Sequence, residues 1–139
     1  MFTLVDSAWP FLVGHRQSVV DCFSMQVLTY PAEGKKLRTD RDAVDLIGEA
    51  LQSGARMVVL PAERLDEDFF RLRTRVAGEF VQKFVTYGVR LAIVGDISAY
   101  ISERTALRDF VYEANRGRDL WFAATREEID DRLLHTANI

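Results

Sequence analysis

Four short apolar runs lie far apart in this chain, and each is followed by a stretch whose apolar residues recur at helical spacing. The runs are QVLTY (26–30), RMVVL (56–60), VRLAIV (89–94) and LWFAA (120–124). Each has the length and composition of a strand, and Pro31, Pro61 and Gly95 close the first three. Continuous apolar runs belong to strands covered on both faces. Strand alternating with helix argues for a largely parallel sheet joined by right-handed crossovers. The expected architecture is α/β: a single domain with a mostly parallel or mixed sheet of about four to five strands flanked by four helices.

The helical stretches carry their own punctuation. Thr39 and Asp42 form a capping-box-like start, with Asp in place of the usual Glu. Ala43, Val44, Leu46, Ile47, Ala50 and Leu51 come next at helical spacing, and Gly54 stops the helix. The next pattern is the longest, with Phe69, Phe70, Val76, Ala77, Phe80, Val81 and Phe84 on one stripe closed by Gly88. Thr74 offers a break in it, because Thr is a good N-cap for the stretch RVAGEFVQKF (75–84). A third helix is expected over 105–116, with Leu107, Phe110, Val111 and Ala114 inward and Gly117 as its stop. Thr125 and Glu128 make a capping box for the last helix, where Ile129 and Leu133 face the core. Residues 1–24 read as an extension to an α/β domain of 25–139. Within them FTLV (2–5) or PFLVG (10–14) offers an edge strand, and Met25 offers an alternative start.

The 139 residues suit one domain. The net charge of −3 provides no general field to attract nucleic acid or an anionic membrane. No run approaches the ~18 apolar residues needed to span a bilayer. The opening MFTLVDSAWPFLVGHR lacks a basic start and is interrupted by Pro10, so it reads as non-secretory. Cys22 is the sole cysteine and has no internal disulfide partner, which fits a reducing, cytoplasmic compartment.

Three segments carry a resemblance: DAVDLIGEAL (42–51), FFRLRTRVAGEFVQKFVTYGVRLAIVGDIS (69–98) and LRDFVYEANRGRDLWF (107–122). Together they resemble the bacterial family called domain of unknown function 4180, over about residues 27–134. Arg75 departs from the family, which often has Gly there. The first 24 residues also depart from the usual family opening, which reads as a strand. The family's element order is similar to that of STAS domains, the fold of anti-sigma-factor antagonists. That resemblance implies a partner-binding module, often switched by phosphorylation of a hydroxyl at the start of the helix after a central strand. Thr74 falls roughly there, without the usual Asp-Ser motif around it. Fold-level analogy of this kind bears weakly on function.

The residues supply their own candidates. Asp96 comes directly after the third run, and ligands of open α/β sheets gather beyond the carboxyl ends of strands. A carboxylate there can hold a metal, a hydroxyl or a basic group. In G-D-I-S it can equally accept backbone N–H groups of its own turn. A receiver-type phospho-acceptor needs further acids converging on Mg²⁺, and the earlier runs offer only Glu33 and Glu63. A phosphate on Thr74 would meet free N–H groups and the positive end of a helix, flanked by Arg73 and Arg75; the plain alternative is an N-cap. RLRTR (71–75) is a basic cluster. If the helix is continuous, Glu67 and Glu79 neutralise Arg71 and Arg75 at one-turn spacing and leave a solvated face. The densest polar set lies in LRDFVYEANRGR (107–118). With Arg108, Asn115 and Arg116 it offers a patch on which a partner or small anion docks, and a small-ligand site would bring Asp96 and Ser98 together with Arg108 or Arg116; Asn115 and Arg116 equally suit the end of a helix.

The chain lacks a G-x-S-x-G elbow, a Walker loop and G-x-G-x-x-G. His15, His135 and Cys22 make no recognisable metal site or nucleophile dyad. No catalytic residue, metal or cofactor is expected on these grounds. The leading expectation is a non-enzymatic, STAS-like regulatory domain that binds a protein partner or itself. Phe69, Phe70, Tyr87 and Trp121 would anchor an interface if exposed. The alternative is a small-ligand-binding protein or enzyme using the strand-end rim around Asp96, which predicts a concave pocket there.

Overall fold

A computed structural model of the protein describes residues 18–22 and 25–137, with side chains from 26 to 134. The five-stranded sheet runs in sequence order: β1 (Ser18–Cys22), β2 (Met25–Thr29), β3 (Met57–Pro61), β4 (Arg90–Val94) and β5 (Leu120–Ala123). β1 pairs antiparallel with β2, and β2 to β5 are parallel. The expected edge strands at 2–5 and 10–14 lie outside the described residues. Among the described residues five α-helices accompany the sheet: α1 (Asp40–Ser53), α2 (Val76–Tyr87), α3 (Ser98–Glu103), α4 (Thr105–Arg116) and α5 (Arg126–Ala137). The mostly parallel α/β architecture expected from the alternation is present, with the short α3 as an unexpected fifth helix. Among the described residues no helix is long and apolar enough to cross a membrane.

Sequential strand order has a consequence for the layers. Right-handed crossovers between neighbouring strands, all stepping the same way, leave their helices on one face. Side chains alternate accordingly. Leu28, Val58, Leu60, Leu91, Ile93, Leu120 and Phe122 point to that face and pack with Ala43 and Ile47 of α1, Phe80 and Phe84 of α2, and Leu107 of α4. The intervening Val27, Met57, Val59, Ala92 and Trp121 point the other way, onto Ile129 and Leu133 of α5. Both faces are covered, which is why the strands read as unbroken apolar runs.

The α1 start is a true capping box. Thr39 Oγ1 accepts from Asp42 N–H, and Asp42 Oδ2 accepts from Thr39 N–H, each at 3.1 Å. At α5, Thr125 Oγ1 accepts from Glu128 N–H at 3.3 Å, but Glu128 Oε1 reaches one residue further back, to Ala124 N–H at 3.0 Å. That bond satisfies a donor on the outer edge of the sheet.

The long apolar stripe through 69–84 is not one helix. Two 3₁₀ turns, Glu67–Phe70 and Leu72–Thr74, precede α2, and among the described residues α1, with 14, is the longest helix. Arg75 breaks the run: its φ of 65° places it in the left-handed region. Thr74 is therefore not the N-cap, a position Arg75 holds. The Thr74 hydroxyl lies 2.7 Å from the carbonyls of both Asp68 and Arg71, shares its proton between them, and accepts from Val76 N–H at 3.3 Å. With the helix interrupted, the expected Glu67–Arg71–Arg75–Glu79 row does not form. Arg71 pairs instead with Asp68 at 3.6 Å, and Asp68 also holds Arg38 at 3.0 Å. Phe69 and Phe70 still reach the core, and Tyr100 of α3 stacks on Phe70 with ring centroids 4.5 Å apart.

A left-handed arginine is strained, and glycine occupies that region without a Cβ penalty. Arg75→Gly is expected to raise folding stability by about 0.5–1 kcal/mol, after glycine's extra unfolded-state entropy is set against the relieved strain. Urea denaturation reads the change as a higher midpoint at unchanged slope; a lower midpoint would contradict it.

Candidate functional site

In a β–α unit, the turn after each strand and the N-terminus of the next helix share one end of the sheet. Tyr30, the Ala62–Arg64 turn, Gly95–Asp96 and Ala124 succeed β2, β3, β4 and β5 and form this carboxyl rim. Among the described residues three recesses open along it.

The first, about 460 Å³, lies beyond β2 and involves Tyr30, Lys35, Asp42, Glu49 and Arg64. Arg64 fixes its wall: Nε donates to Lys35 O at 3.0 Å and Nη1 to Pro31 O at 3.1 Å. Leu37 and Leu65 form a parallel bridge that ties the same loop down. Tyr30 OH donates to Glu49 Oε1. Burial, aided by that carboxylate, pushes the phenol well above its ordinary range. Burial also pulls the Asp42 carboxyl upward, but the Arg38 and Thr39 N–H donors and the Lys35 ammonium at 3.0 Å outweigh it and hold it at about 2.

The second recess, about 440 Å³, lies between the 3₁₀ connection and the start of α4. Arg71, Leu72, Arg73 and residues 104–107 line it. The sequence pattern alone makes RLRTR self-neutralised and gives Arg104 no role. One signal was present: the helix expected from 105 has an arginine, not Ser, Thr, Asp or Asn, at the position before it.

The third, about 250 Å³, lies between the ends of β4 and β5 and includes Asp96, Ser98, Val111, Phe122 and Glu128. Asp96 Oδ1 accepts from Ser98 N–H at 3.0 Å, an Asx turn. The hydrogen bonds from the Ser98 hydroxyl and N–H hold its carboxyl below the ordinary range. Asp96 thus closes its own turn and also lines a recess.

The five candidate binding residues do not converge. Asp96 and Ser98 share the third recess. Arg108 lies in the first turn of α4, exposed and outside that lining. Asn115 and Arg116 lie in its last turn, which returns toward the start of β5. Asn115 Oδ1 accepts from Phe122 N–H at 2.7 Å. Asp119 O and Ala123 O serve β4, so this amide faces the free edge of β5 and Asn115 blunts that edge. Arg116 is 3.8 Å from Glu113 and sits over the Tyr112 ring. Thr74 is exposed between Arg73 and Arg75. Of the four aromatic anchors, Phe69, Phe70 and Trp121 are buried and only Tyr87 is exposed. His15 lies outside the described residues, as do the side chains of Cys22 and His135. Among the described residues no group of three or more His, Cys, Asp or Glu is placed to hold a metal.

Neither a curated protein nor a solved structure gives a significant match to the chain. Residues 23–133 match a family described as Domain of unknown function (DUF4180), and the match takes in β2 to β5 and nearly all of the helices. The chain belongs to the DUF4180 family.

Proposed function

We propose that the protein is a STAS-like, non-enzymatic interaction module of the cytoplasm, regulatory in role, whose working surface is the carboxyl rim. The observation that carries this reading is that, among the described residues, three recesses open at the carboxyl end of the sheet, against a fourth of about 340 Å³ at the other end beside Phe110, Gly117 and Leu120. The rim carboxylates support binding over acid–base chemistry: Asp42, Asp96 and Glu128 each accept backbone N–H bonds and serve to fix turns. The strand–helix order, similar to that of STAS domains, supports a protein partner. The test is capture of partners by the tagged chain, with Glu63→Lys plus Asp96→Lys on the rim and Arg116→Glu at the far end as the control. A protein held by wild type and control but lost from the rim variant is expected. Light scattering that shows a strict monomer, with no protein retained, would contradict the reading, as would loss in the control alone.

A second reading has its own observation. Asp96, Ser98 and Glu128 do line a recess, so a small ligand or substrate could seat at the β4–β5 rim. On that reading Asp96→Ala abolishes a ligand-induced rise in melting temperature that Arg116→Ala retains.

A further inference from the structure

We propose that the recess between the 3₁₀ connection and α4 binds the phosphoryl group of a small phosphomonoester. The proposal deepens the rim reading and rests on it for its location.

Several observations meet there. Arg71, Arg73 and Arg104 line a single recess of about 440 Å³ in a chain whose net charge is −3. Carboxylates do not balance them. Asp68 is divided between Arg71 and Arg38, and among the described residues neither Arg73 nor Arg104 has an ion-pair partner. Arg104 is half-buried, with its guanidinium over the Tyr100 ring, and its Nη1 is buried without a hydrogen-bond acceptor. A buried charged donor without an acceptor costs free energy, and an arriving oxyanion that turns the guanidinium toward itself relieves that cost.

The recess wall adds backbone donors. α4 is 12 residues long, and its N-cap is Arg104, which makes no side-chain capping bond. The first intrahelical bond runs from Arg108 N–H to Arg104 O. The N–H groups of Thr105, Ala106 and Leu107 therefore have no partner within the helix. All three residues line the recess. Uncapped N–H groups at the positive end of a helix dipole, beside guanidinium forks, suit a doubly charged tetrahedral oxyanion. Leu72, Ala106 and Leu107 supply apolar wall beside these donors. That combination favours an organic phosphate over the bare ion.

The test is a titration of the ¹⁵N-labelled full chain at constant ionic strength, with phenyl phosphate, inorganic phosphate and chloride as separate arms. Saturable amide shifts centred on residues 105–107 are expected with phenyl phosphate, weaker with inorganic phosphate and absent with chloride. Arg73→Ala, at an exposed site, is expected to weaken binding about tenfold, and Arg104→Lys, which retains the charge but loses the fork, by a similar factor, with an otherwise unchanged amide spectrum in each. Non-saturating shifts, or a wild-type curve in Arg73→Ala, would overturn the site. Equal affinity for the two phosphates would overturn the assignment to a phosphomonoester. The titration uses the chain alone, so its failure leaves partner capture standing, and failed capture leaves the titration standing.

Discussion

Trp121→Ala is expected to cost about 3–5 kcal/mol of folding stability, the range for emptying a large aromatic site in a core. Trp121 is 2% exposed and stands in the sheet face covered by α5. Its ring carries two guanidiniums, Arg90 at 4.3 Å and Arg132 at 4.1 Å from the centroid. Each is anchored beyond the ring. Arg90 Nε donates to Arg118 O at 2.7 Å, and Arg132 Nη2 donates to Asn115 O at 2.6 Å. Trp121 Nε1 donates to Gly117 O at 2.9 Å, so the indole has a partner for its only polar atom. Removing the ring leaves a cavity and takes a packing surface from two arginines at once. Trp121→Phe keeps most of the volume but not the Gly117 bond, and is expected to cost about 1–2 kcal/mol. Urea denaturation of both variants checks the pair. A Trp121→Ala change below about 1 kcal/mol would mean that α5 does not rest on this ring.

Gly95→Ala is the second large effect, at about 2–3 kcal/mol. Gly95 has a φ of 148°, a region that residues with a Cβ rarely enter. A Cβ built there would also lie 3.0 Å from the Cβ of Ala62, in the turn beyond β3. The two adjacent strand ends approach closely enough that a Cβ there would push Ala62 aside by a few tenths of an ångström. This close approach aims the chain so that Asp96 emerges on the rim and receives the Ser98 N–H. The variant is expected to lose stability and to shift the Ser98 amide resonance together. A change below about 0.5 kcal/mol with Ser98 unmoved would contradict this view of the turn.

The strands and most helices are legible in the sequence because burial dictates them. Val58, Leu60, Leu91 and Ile93 are apolar since both sides of the sheet are covered, and Thr39 with Asp42 marks the start of α1 by chemistry alone. The break before α2 is not legible from the stripe. Phe69 and Phe70 are fully buried whether their backbone is α or 3₁₀, so apolar spacing does not separate the two. Arg75, with its left-handed backbone, is where the stripe breaks, and nothing in apolar spacing marks it. The short α3 falls below the length at which periodicity speaks, and the Phe70–Tyr100 stack holds it by tertiary contact. The rim is implied by strand order, and Asp96, directly after its apolar run, lies on it. The arginine recess is not, because Arg71 and Arg73 meet Arg104 only after the chain has traversed α2 and β4.

Every functional inference depends on β2 to β5 lying parallel and in sequence, since that order brings the helix N-termini and strand ends to one rim. Nuclear Overhauser contacts between strands measure it directly. Amide and Hα contacts are expected along Leu28–Val58, Val58–Leu91 and Leu91–Leu120, in the staggered pattern of parallel pairs. Strong Hα–Hα contacts across any of these pairs, the mark of an antiparallel ladder, would disperse the rim and the sites built on it.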